Sequence, residues 1–418
     1  MRKKYDIFFW FYTVLILTLY NLTPSIGGFD VPYYFLAGEH IWNGQIDCLR
    51  TPVYPFLLKL FNVWFGEHGG IAGVIILQSI VYLISLVSLK SLAEKVIQSN
   101  GIRFVLLLFY VSCIAPGWCN ELLTESLSIS GCIILTDIVV SYINRPSPGR
   151  ITFIHLLLLV LVFLRPTFIL FFAILPVIWI YQIWNSKNKG HYSIALGLTI
   201  VCVLCFGSYC KLYEKQFGHF GVSTTFVFNK VYDAHRGNYW DPSVVKDTEV
   251  RKWIELIDHE YDGTYDFIYN TVTEHPEALN LINRGCDDII NAHCEEHKQY
   301  RLKLFISSFD KRLLAAVNTH TPLSSVLFFS SLFLSFPVSL FYLITLAATF
   351  ALILNTIQKR RIPLIAFFLT AVVLAQTVGI ILTTSDAHER VLLPVYPVFL
   401  ILLGIGIEKC FKILKTEI

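Results

Sequence analysis

The sequence predicts an all-α polytopic membrane protein, and three observations support this fold class. Of the 418 residues, 55% are hydrophobic and only 15% are charged, and the mean hydropathy is +0.60. Soluble domains usually carry about 25% charged residues. The apolar residues also occur in runs close to the roughly 20 residues that an α-helix needs to cross a bilayer. A soluble globular domain is therefore excluded.

About ten apolar runs are predicted to span the membrane. They cover residues 5–22, 71–93, 104–119, 122–143, 151–164, 167–184, 192–210, 323–354, 362–384 and 391–410. The fifth and sixth runs meet at Arg165, so one long broken helix over 151–184 is an alternative. The eighth run is longer than a span requires and contains Pro337, so part of it is expected to lie at the interface or to re-enter.

Basic residues predict the orientation of these spans. In a ten-span bundle, six clusters of lysine and arginine fall on the same side; they lie at residues 2–4, 90–103, 145–150, 187–189, 359–361 and 409–415. Because cytoplasmic loops are enriched in Lys and Arg, this side and both termini are predicted to be cytoplasmic. A single helix over 151–184 would move Lys187 and Lys189 to the other side, which favours ten spans.

The opposite face receives a first loop (23–70) that predicts two short interfacial helices. Asp30 is placed to cap the first, with Pro32 in its first turn and Gly44 at its end. The second starts after Pro52, and its apolar residues follow one helical face: Phe56, Leu57, Leu60, Phe61 and Trp64.

The domain organisation follows from these runs. Residues 1–210 form a first transmembrane module that contains the 23–70 loop. Residues 211–322 form a polar extracytoplasmic segment that is predicted to be mostly helical, and 323–418 hold the C-terminal transmembrane helices. The outer turns also carry acids and isolated arginines at membrane depth, where ionisable groups are costly and mark functional sites by default. The chemistry is therefore expected to face outward.

Several outward-facing motifs occur together in the chain. They are Asp30-x-x-x-Tyr34 with Ala37 and Gly44, Arg50-Thr-Pro-Val-Tyr-Pro55, Leu122-Leu-Thr-Glu125-Ser, Leu164-Arg-Pro166 and Glu389-Arg390-x-x-x-Pro394-x-x-Pro397. In this order they resemble GT-C glycosyltransferases, and most closely the protein O-mannosyltransferase and lipid A aminoarabinose transferase branch. The resemblance covers the first seven spans and, by one motif, the last. Segment 211–322 resembles no named family.

The resemblance implies an inverting enzyme that moves a sugar from a polyprenyl-phosphate donor to a glycan, lipid or protein acceptor. It implies Asp30 as the base that activates the acceptor hydroxyl or amine. Glu125, the second acid, would orient the acceptor, pair with an arginine, or bind a metal together with Asp30. The donor phosphate would meet guanidinium groups, which pair two phosphate oxygens at once and stay charged; the candidates are Arg390, Arg165 and Arg50. The remaining sugar or acceptor contacts would be Tyr34, Tyr54, Glu121 and His388.

Two departures from the family pattern limit what the resemblance implies. Val31 stands where many relatives carry a second acid, so no cofactor is assigned and a divalent metal is left open. The chain also has fewer spans than the best-known relatives, which leaves the acceptor class open. The sequence has no nucleic-acid or nucleotide motif, so the expected partners are the lipid-linked donor, the acceptor and membrane lipids. Abundant Ile, Phe, Lys and Asn favour a bacterial inner membrane, with the site facing the periplasm.

Other classes share part of the pattern. A transporter or flippase of lipid-linked sugars would also have many spans, but transporters carry polar residues or helix breaks at mid-span in paired halves. An O-antigen polymerase or ligase would use arginines of the large outer loop, here Arg236, Arg251 or Arg301. His293-Cys-Glu-Glu-His297 matches the H-x-x-E-H metalloprotease pattern, but the sequence shows no third zinc ligand.

Overall fold

The computed structural model describes residues 3–22, 30–113, 115–261, 263, 266–311, 337–359, 363–383 and 388–416, and these residues are almost entirely α-helical. The first part contains α1 (Lys3–Asn21), α2 (Val31–Trp42), α3 (Val53–Val96), α4 (Asn100–Cys113), α5 (Ala115–Trp118), α6 (Glu125–Asn144), α7 (Pro148–Leu164), a 3-10 turn (Pro166–Leu170), α8 (Phe171–Asn185) and α9 (Lys189–Phe217). The middle part contains α10 (Thr225–Arg236), a 3-10 turn (Pro242–Val244), α11 (Thr248–Glu260), α12 (Asp266–Glu274), α13 (Ala278–Ala292) and α14 (Cys294–Ser307). The last part contains α15 (Val338–Lys359), α16 (Leu364–Thr383), α17 (His388–Val391), a 3-10 turn (Leu393–Val395) and α18 (Tyr396–Thr416). The predicted all-α class is confirmed.

Seven helical stretches among the described residues are long and apolar enough to cross a membrane. They are Val53–Val96, Asn100–Trp118, Glu125–Asn144, Pro166–Asn185, Lys189–Phe217, Val338–Gln358 and Leu393–Phe411, with shorter apolar helices at Pro148–Leu164 and Leu364–Gly379. Together with α1, they coincide with the ten predicted runs. The run at 323–354 is described only from residue 337, and its helix continues to Lys359, so its predicted end is five residues too early.

The break at Arg165 separates two helices that fold back on each other. Arg165 is extended (φ −151°, ψ 116°) and begins a 3-10 turn. The hydroxyl of Thr199 on α9 lies 2.9 Å from Nε2 of His155 on α7 and accepts a hydrogen bond of 3.1 Å from Nε1 of Trp179 on α8. In one continuous helix, His155 and Trp179 would be roughly 36 Å apart. The single long helix over 151–184 is therefore wrong.

The residues of the predicted basic clusters that the structure describes lie at one end of the bundle. Lys90 donates to Asp6 near the start of α1 (2.7 Å), and Lys95 donates to Asp137 near the end of α6 (2.6 Å). The carboxylate of Glu408 on α18 accepts hydrogen bonds from the N–H groups of residues 98 and 99. Tyr142 on α6 donates to the carbonyl of residue 191 at the start of α9. The shared side predicted for these clusters is thus present, while residues 360–362 lie outside the described part.

The first loop forms two helices, as predicted, and a glycine separates the second from the membrane span. Gly66, inside α3, has φ 71° and ψ 175°, a conformation that L side chains rarely adopt. The N-terminal part of α3, residues 53–65, pairs with α2: Lys59 donates to Glu39 (2.5 Å), and the rings of Trp42 and Phe56 lie 6.0 Å apart. Residues after Gly66 form the span.

Helices α10–α14 have a hydrophobic core of their own, and one face of α12 holds them on the first loop. The core includes Val231, Ile254 and Ile282. Three α12 residues at helical i, i+3, i+7 spacing contact the loop; the pairs are Asp266 with the Tyr33 hydroxyl, Tyr269 with Asp47, and Thr273 with Cys48. The segment that resembles no named family therefore supports the loop that carries Asp30 and Arg50.

Candidate functional site

Five charged side chains, far apart in the sequence, meet at the end of the bundle opposite the basic clusters. Asp30 precedes α2, Arg50 precedes α3, Glu125 is the first residue of α6, Arg165 follows α7, and Arg390 lies in α17. Because α6 begins here and ends among the basic clusters, its 20 residues separate the two groups by about 30 Å, the thickness of a bilayer core. We call these five residues the charged centre.

The carboxylate of Asp30 is held by two arginines. Arg50 donates from Nη2 to Oδ1 at 2.6 Å, and Arg390 donates from Nη2 to Oδ2 at 2.8 Å. Asp30 occupies the N-cap position of α2, but its side chain makes no capping bond to that helix within the described residues. The plain helix cap, which was one reading of the spacing, is therefore wrong, and Asp30 faces the charged centre instead.

Glu125 is almost completely buried, with its side chain 1% exposed. Its Oε1 accepts hydrogen bonds from Nε of Arg390 (2.6 Å) and Nη1 of Arg165 (3.3 Å). Its Oε2 is buried and has no hydrogen-bond partner within the described part of the chain. Of the three roles considered for Glu125, pairing with arginine is the one that the geometry shows. Arg390 bridges the two acids.

The electrostatics of the centre favour an anion. Burial alone would raise the pKa of Asp30, but the positive charges of Arg50 and Arg390 outweigh burial and hold this pKa below its ordinary value. Burial would lower the pKa of Arg390, and the carboxylates of Glu125 and Asp30 outweigh burial and raise it. Three guanidinium groups face two carboxylates, so the five side chains carry one positive charge in excess.

Two buried tyrosines pack next to Arg50, Tyr34 directly and Tyr54 through Tyr34. The guanidinium carbon of Arg50 lies 4.5 Å from the ring centroid of Tyr34, a cation–π contact. The ring of Tyr54 meets that of Tyr34 edge to face at 5.0 Å. Their packing shows how Arg50 is held in place, and the prediction that both tyrosines line a sugar site stays a prediction.

Sequence reasoning missed Gln78, which joins the loop before α6 to the tyrosines. This buried residue accepts a hydrogen bond from the Tyr54 hydroxyl (3.1 Å) and donates to the carbonyls of Cys119 and Glu121 (2.9 Å each). Its signal was available, since it is a lone glutamine inside the apolar run 71–93. A buried amide with three partners fixes the backbone that leads into Glu125.

We expect Gln78→Leu to destabilise the protein by about 2–3 kcal/mol, because it removes three hydrogen bonds of a buried amide, one with the Tyr54 hydroxyl and two with backbone carbonyls. Activity should fall as well, since the segment before Glu125 loses its anchor. Thermal unfolding in detergent measures the change. The matched control is Gln182→Leu on α8, where the side chain is partly exposed; equal losses in the two variants would contradict this role for Gln78.

Sequence reasoning also missed Asp47, which shapes the backbone of Arg50. Its Oδ1 accepts from the N–H groups of Leu49 (2.9 Å) and Arg50 (2.6 Å), and its Oδ2 accepts from the Tyr269 hydroxyl (3.1 Å). Nδ1 of His40 lies 3.0 Å from the same Oδ2. An aspartate that accepts hydrogen bonds from the N–H groups two and three residues further along the chain forms a local turn. The order Asp-Cys-Leu-Arg was therefore a sequence signal for a turn that positions Arg50.

The other predicted site residues are only partly described. Glu121 is buried and precedes α6, which begins at Glu125, so the two acids do not lie on one helix. Glu121 instead lies close enough to Tyr54 for its charge to act on that phenol. The side chains of His388 and Glu389 lie outside the described residues, so their predicted contacts are not placed.

The residues of the competing hypotheses are held inside the α10–α14 unit. Arg301 donates to Asp233 (3.1 Å), Arg251 donates to the carbonyl of residue 245 (2.7 Å), and Arg236 donates to the Tyr232 hydroxyl (2.8 Å). For the H-x-x-E-H motif, the imidazole of His293 lies 3.4 Å from Asp241 and that of His297 lies 2.8 Å from the Tyr239 hydroxyl. The two histidines thus contact different side chains.

The charged centre does not fit a divalent metal. Both oxygens of Asp30 and one of Glu125 face guanidinium groups. Among the described residues, no group of three His, Cys, Asp or Glu side chains could hold a metal ion. Three fixed positive charges would also repel a cation. The divalent metal left open by the sequence finds no support in these side chains.

Two solved structures share this architecture at a TM-score of 0.50. One is the crystal structure of the Archaeoglobus fulgidus oligosaccharyltransferase in complex with Zn and sulfate, with 10% sequence identity over 96% of this chain and 49% of that chain. The other is the apo form of the same protein, with 10% identity over 99% of this chain and 52% of that chain. The chain has the GT-C fold.

The chain spans about half of the length of these neighbours, and 10% identity carries the fold alone. A third structure, AglB of the same organism in complex with an inhibitory peptide and a dolichol-phosphate, matches with a TM-score of 0.48 and 10% identity over 99% of this chain and 52% of that chain. No protein-family model and no curated protein matches the sequence. The chain is an integral membrane protein with a GT-C fold.

Proposed function

We propose that the protein is an inverting glycosyltransferase that uses a polyprenyl-phosphate-linked sugar as donor. The observation that carries the proposal is the charged centre, in which Asp30 and three arginines converge at one end of a GT-C bundle. Sequence motifs alone related these residues to donor and acceptor chemistry. Their convergence in space, across 360 positions between Asp30 and Arg390, is independent support.

In the proposed reaction, the arginines receive the phosphate of the donor. The bond between the anomeric carbon and the phosphate oxygen breaks, and the polyprenyl phosphate leaves as an anion. Arg390, Arg165 and Arg50 neutralise the charge that builds on the leaving group. Positively charged forks supply this stabilisation without a metal, and the single excess positive charge of the centre suits one phosphodiester anion.

Asp30 acts on the acceptor. Its carboxylate takes the proton from the acceptor hydroxyl or amine while the acceptor oxygen or nitrogen bonds to the anomeric carbon from the side opposite the phosphate. One base and one displacement invert the anomeric centre. Glu125, paired with Arg390 and Arg165, keeps these two guanidinium groups at the position of the leaving phosphate. The acceptor class, whether glycan, lipid or protein, is set by groups that the centre does not specify.

The site is proposed to face the periplasm of a bacterial inner membrane. The described residues of the basic clusters lie at the other end of the bundle, and cytoplasmic loops are enriched in Lys and Arg. Both termini would then be cytoplasmic, and α10–α14 would lie outside the membrane. A reagent that cannot cross the membrane should label a cysteine introduced at exposed Asn238 from the periplasmic side.

The direct test is consumption of a lipid-linked sugar by the purified protein. We expect turnover to continue in EDTA and to be lost in Arg390→Ala and Arg165→Ala. Arg236→Ala and Arg251→Ala, in the α10–α14 unit, serve as matched controls and should stay active. The opposite pattern, with loss at the unit's arginines and tolerance at the charged centre, would support the O-antigen polymerase or ligase hypothesis instead.

A further inference from the structure

The base and the phosphate-binding groups of the charged centre are bonded to each other, which the proposed reaction does not explain. Both oxygens of Asp30 accept hydrogen bonds from guanidinium groups, at 2.6 and 2.8 Å, and these two positive charges lower the basicity of the carboxylate. The guanidinium groups proposed to bind the phosphate are also paired with acids. Arg390 donates from Nε to Glu125 and from Nη2 to Asp30. Base and phosphate site therefore neutralise each other.

We infer that the donor phosphate unmasks the base: it takes Arg50 and Arg390 from Asp30, and Asp30 becomes basic only in the donor complex. The inference rests on the proposed function and adds a regulation of the same site. Its consequence is chemical order, because an acceptor that arrives before the donor meets a carboxylate whose basicity is suppressed by two guanidinium groups.

The charges around Asp30 determine the sign of the effect. Arg50, from the loop before α3, and Arg390, from α17, face it and favour the carboxylate. Among the described residues, Glu125 of α6 and the phenols of Tyr33 and Tyr34 on α2 also act on it. When a phosphodiester anion draws the two arginines away, the burial that opposes ionisation is no longer offset. A second negative charge then also lies nearby. Both changes raise the pKa of Asp30, so donor binding must be accompanied by proton uptake.

Glu125 has a different position in this exchange. It lies on the far side of Arg390 and retains Arg165 through Nη1 (3.3 Å). Its unpartnered Oε2 gives Arg390 a second acceptor on the same carboxylate, to which the guanidinium can turn without leaving Glu125. The arrangement thus releases Asp30 while the arginine stays at the centre.

The experiment is titration calorimetry of the detergent-purified full chain with geranyl methyl phosphate, a phosphodiester that does not titrate above about pH 4. Repeating each titration in buffers of different ionisation enthalpy gives the number of protons bound. We expect proton uptake on binding that increases as the pH is lowered, because the pKa of Asp30 is higher in the complex than in the free protein. Asp30→Asn should bind the probe at least as tightly and take up no proton. Glu125→Gln should retain the uptake.

The outcomes separate the inference from the proposed function. Binding without proton uptake in the wild-type protein overturns the unmasking of Asp30 and leaves the donor class intact. Uptake that persists in Asp30→Asn and disappears in Glu125→Gln assigns the proton to the wrong carboxylate and overturns it too. Failure to bind the phosphodiester contradicts the proposed donor class, and the inference falls with it.

Discussion

Asp30→Asn is expected to lower kcat by 10²–10⁴-fold, the usual contribution of a general base. The amide keeps the shape of the side chain but cannot accept the acceptor proton. Since Asp30 also competes with the donor phosphate for Arg50 and Arg390, the KM for donor should not rise. A loss confined to kcat distinguishes a base from a residue that merely binds substrate. Steady-state rates with a lipid-linked sugar measure both constants.

The matched control for this prediction is Glu39→Gln on the same helix. Glu39 is 54% exposed and pairs with Lys59 at the surface, where an ion pair contributes about 0–1 kcal/mol. It should show wild-type rates and a wild-type melting temperature. If Asp30→Asn retained more than about a tenth of the activity, another group would have to be the base. The unfolding transition of Asp30→Asn checks that its loss of rate is not a loss of fold.

The helices were predictable because their signals are local. Apolar runs located the spans, the prolines near residues 32 and 52 marked the starts of α2 and α3, and the extended residue Arg165 was visible as Leu-Arg-Pro. Boundaries were less accurate where a helix outlasts its apolar run, as α9 does by continuing to Phe217. Within segment 211–322, the sequence indicated helices at Val245–His259 and Pro276–Val317, but neither α12 nor the break at His293, since short amphipathic helices depend on their partners.

The members of the charged centre were predictable, but their contacts were not. The resemblance to GT-C enzymes named all five residues, whereas nothing local in the sequence predicts that Arg390 bridges two acids. Gln78 and Asp47 were missed for a common reason: their partners include backbone carbonyls, backbone N–H groups or a tyrosine from distant segments. A hydrogen bond to the backbone imposes no residue type on its partner, so it leaves no motif to read. The remaining sequence signals for such residues are a single glutamine inside an apolar run, as at Gln78, and an aspartate shortly before a candidate arginine, as at Asp47.

Arg390→Ala is expected to have the largest effect on stability and to abolish turnover as well. Removing one partner of a buried ion pair leaves an uncompensated charge and costs about 3–5 kcal/mol. Here Glu125, which is 1% exposed, would keep only Arg165, and Asp30 only Arg50. The donor phosphate would also lose the guanidinium that joins the two acids. Thermal unfolding in detergent and lipid-linked sugar turnover measure the two losses. Arg284→Ala is the control, since that arginine is 55% exposed and pairs with Asp247 at the surface, so its removal should cost at most about 1 kcal/mol.

A double variant separates the two roles of Arg390. In Arg390→Ala combined with Glu125→Gln, the carboxylate that the missing guanidinium had neutralised is itself neutral, so most of the lost stability should return. Turnover should not return, because neither change restores a cation at the leaving phosphate. Arg390→Lys completes the series: it keeps the charge but cannot donate from a planar fork to two carboxylates at once, and it should fall between wild type and alanine in both measurements. Recovery of activity in the double variant would mean that Arg390 only holds the fold together. Stability that stays low after Glu125 is neutralised would mean that the cost arises from lost packing rather than from an unpaired charge.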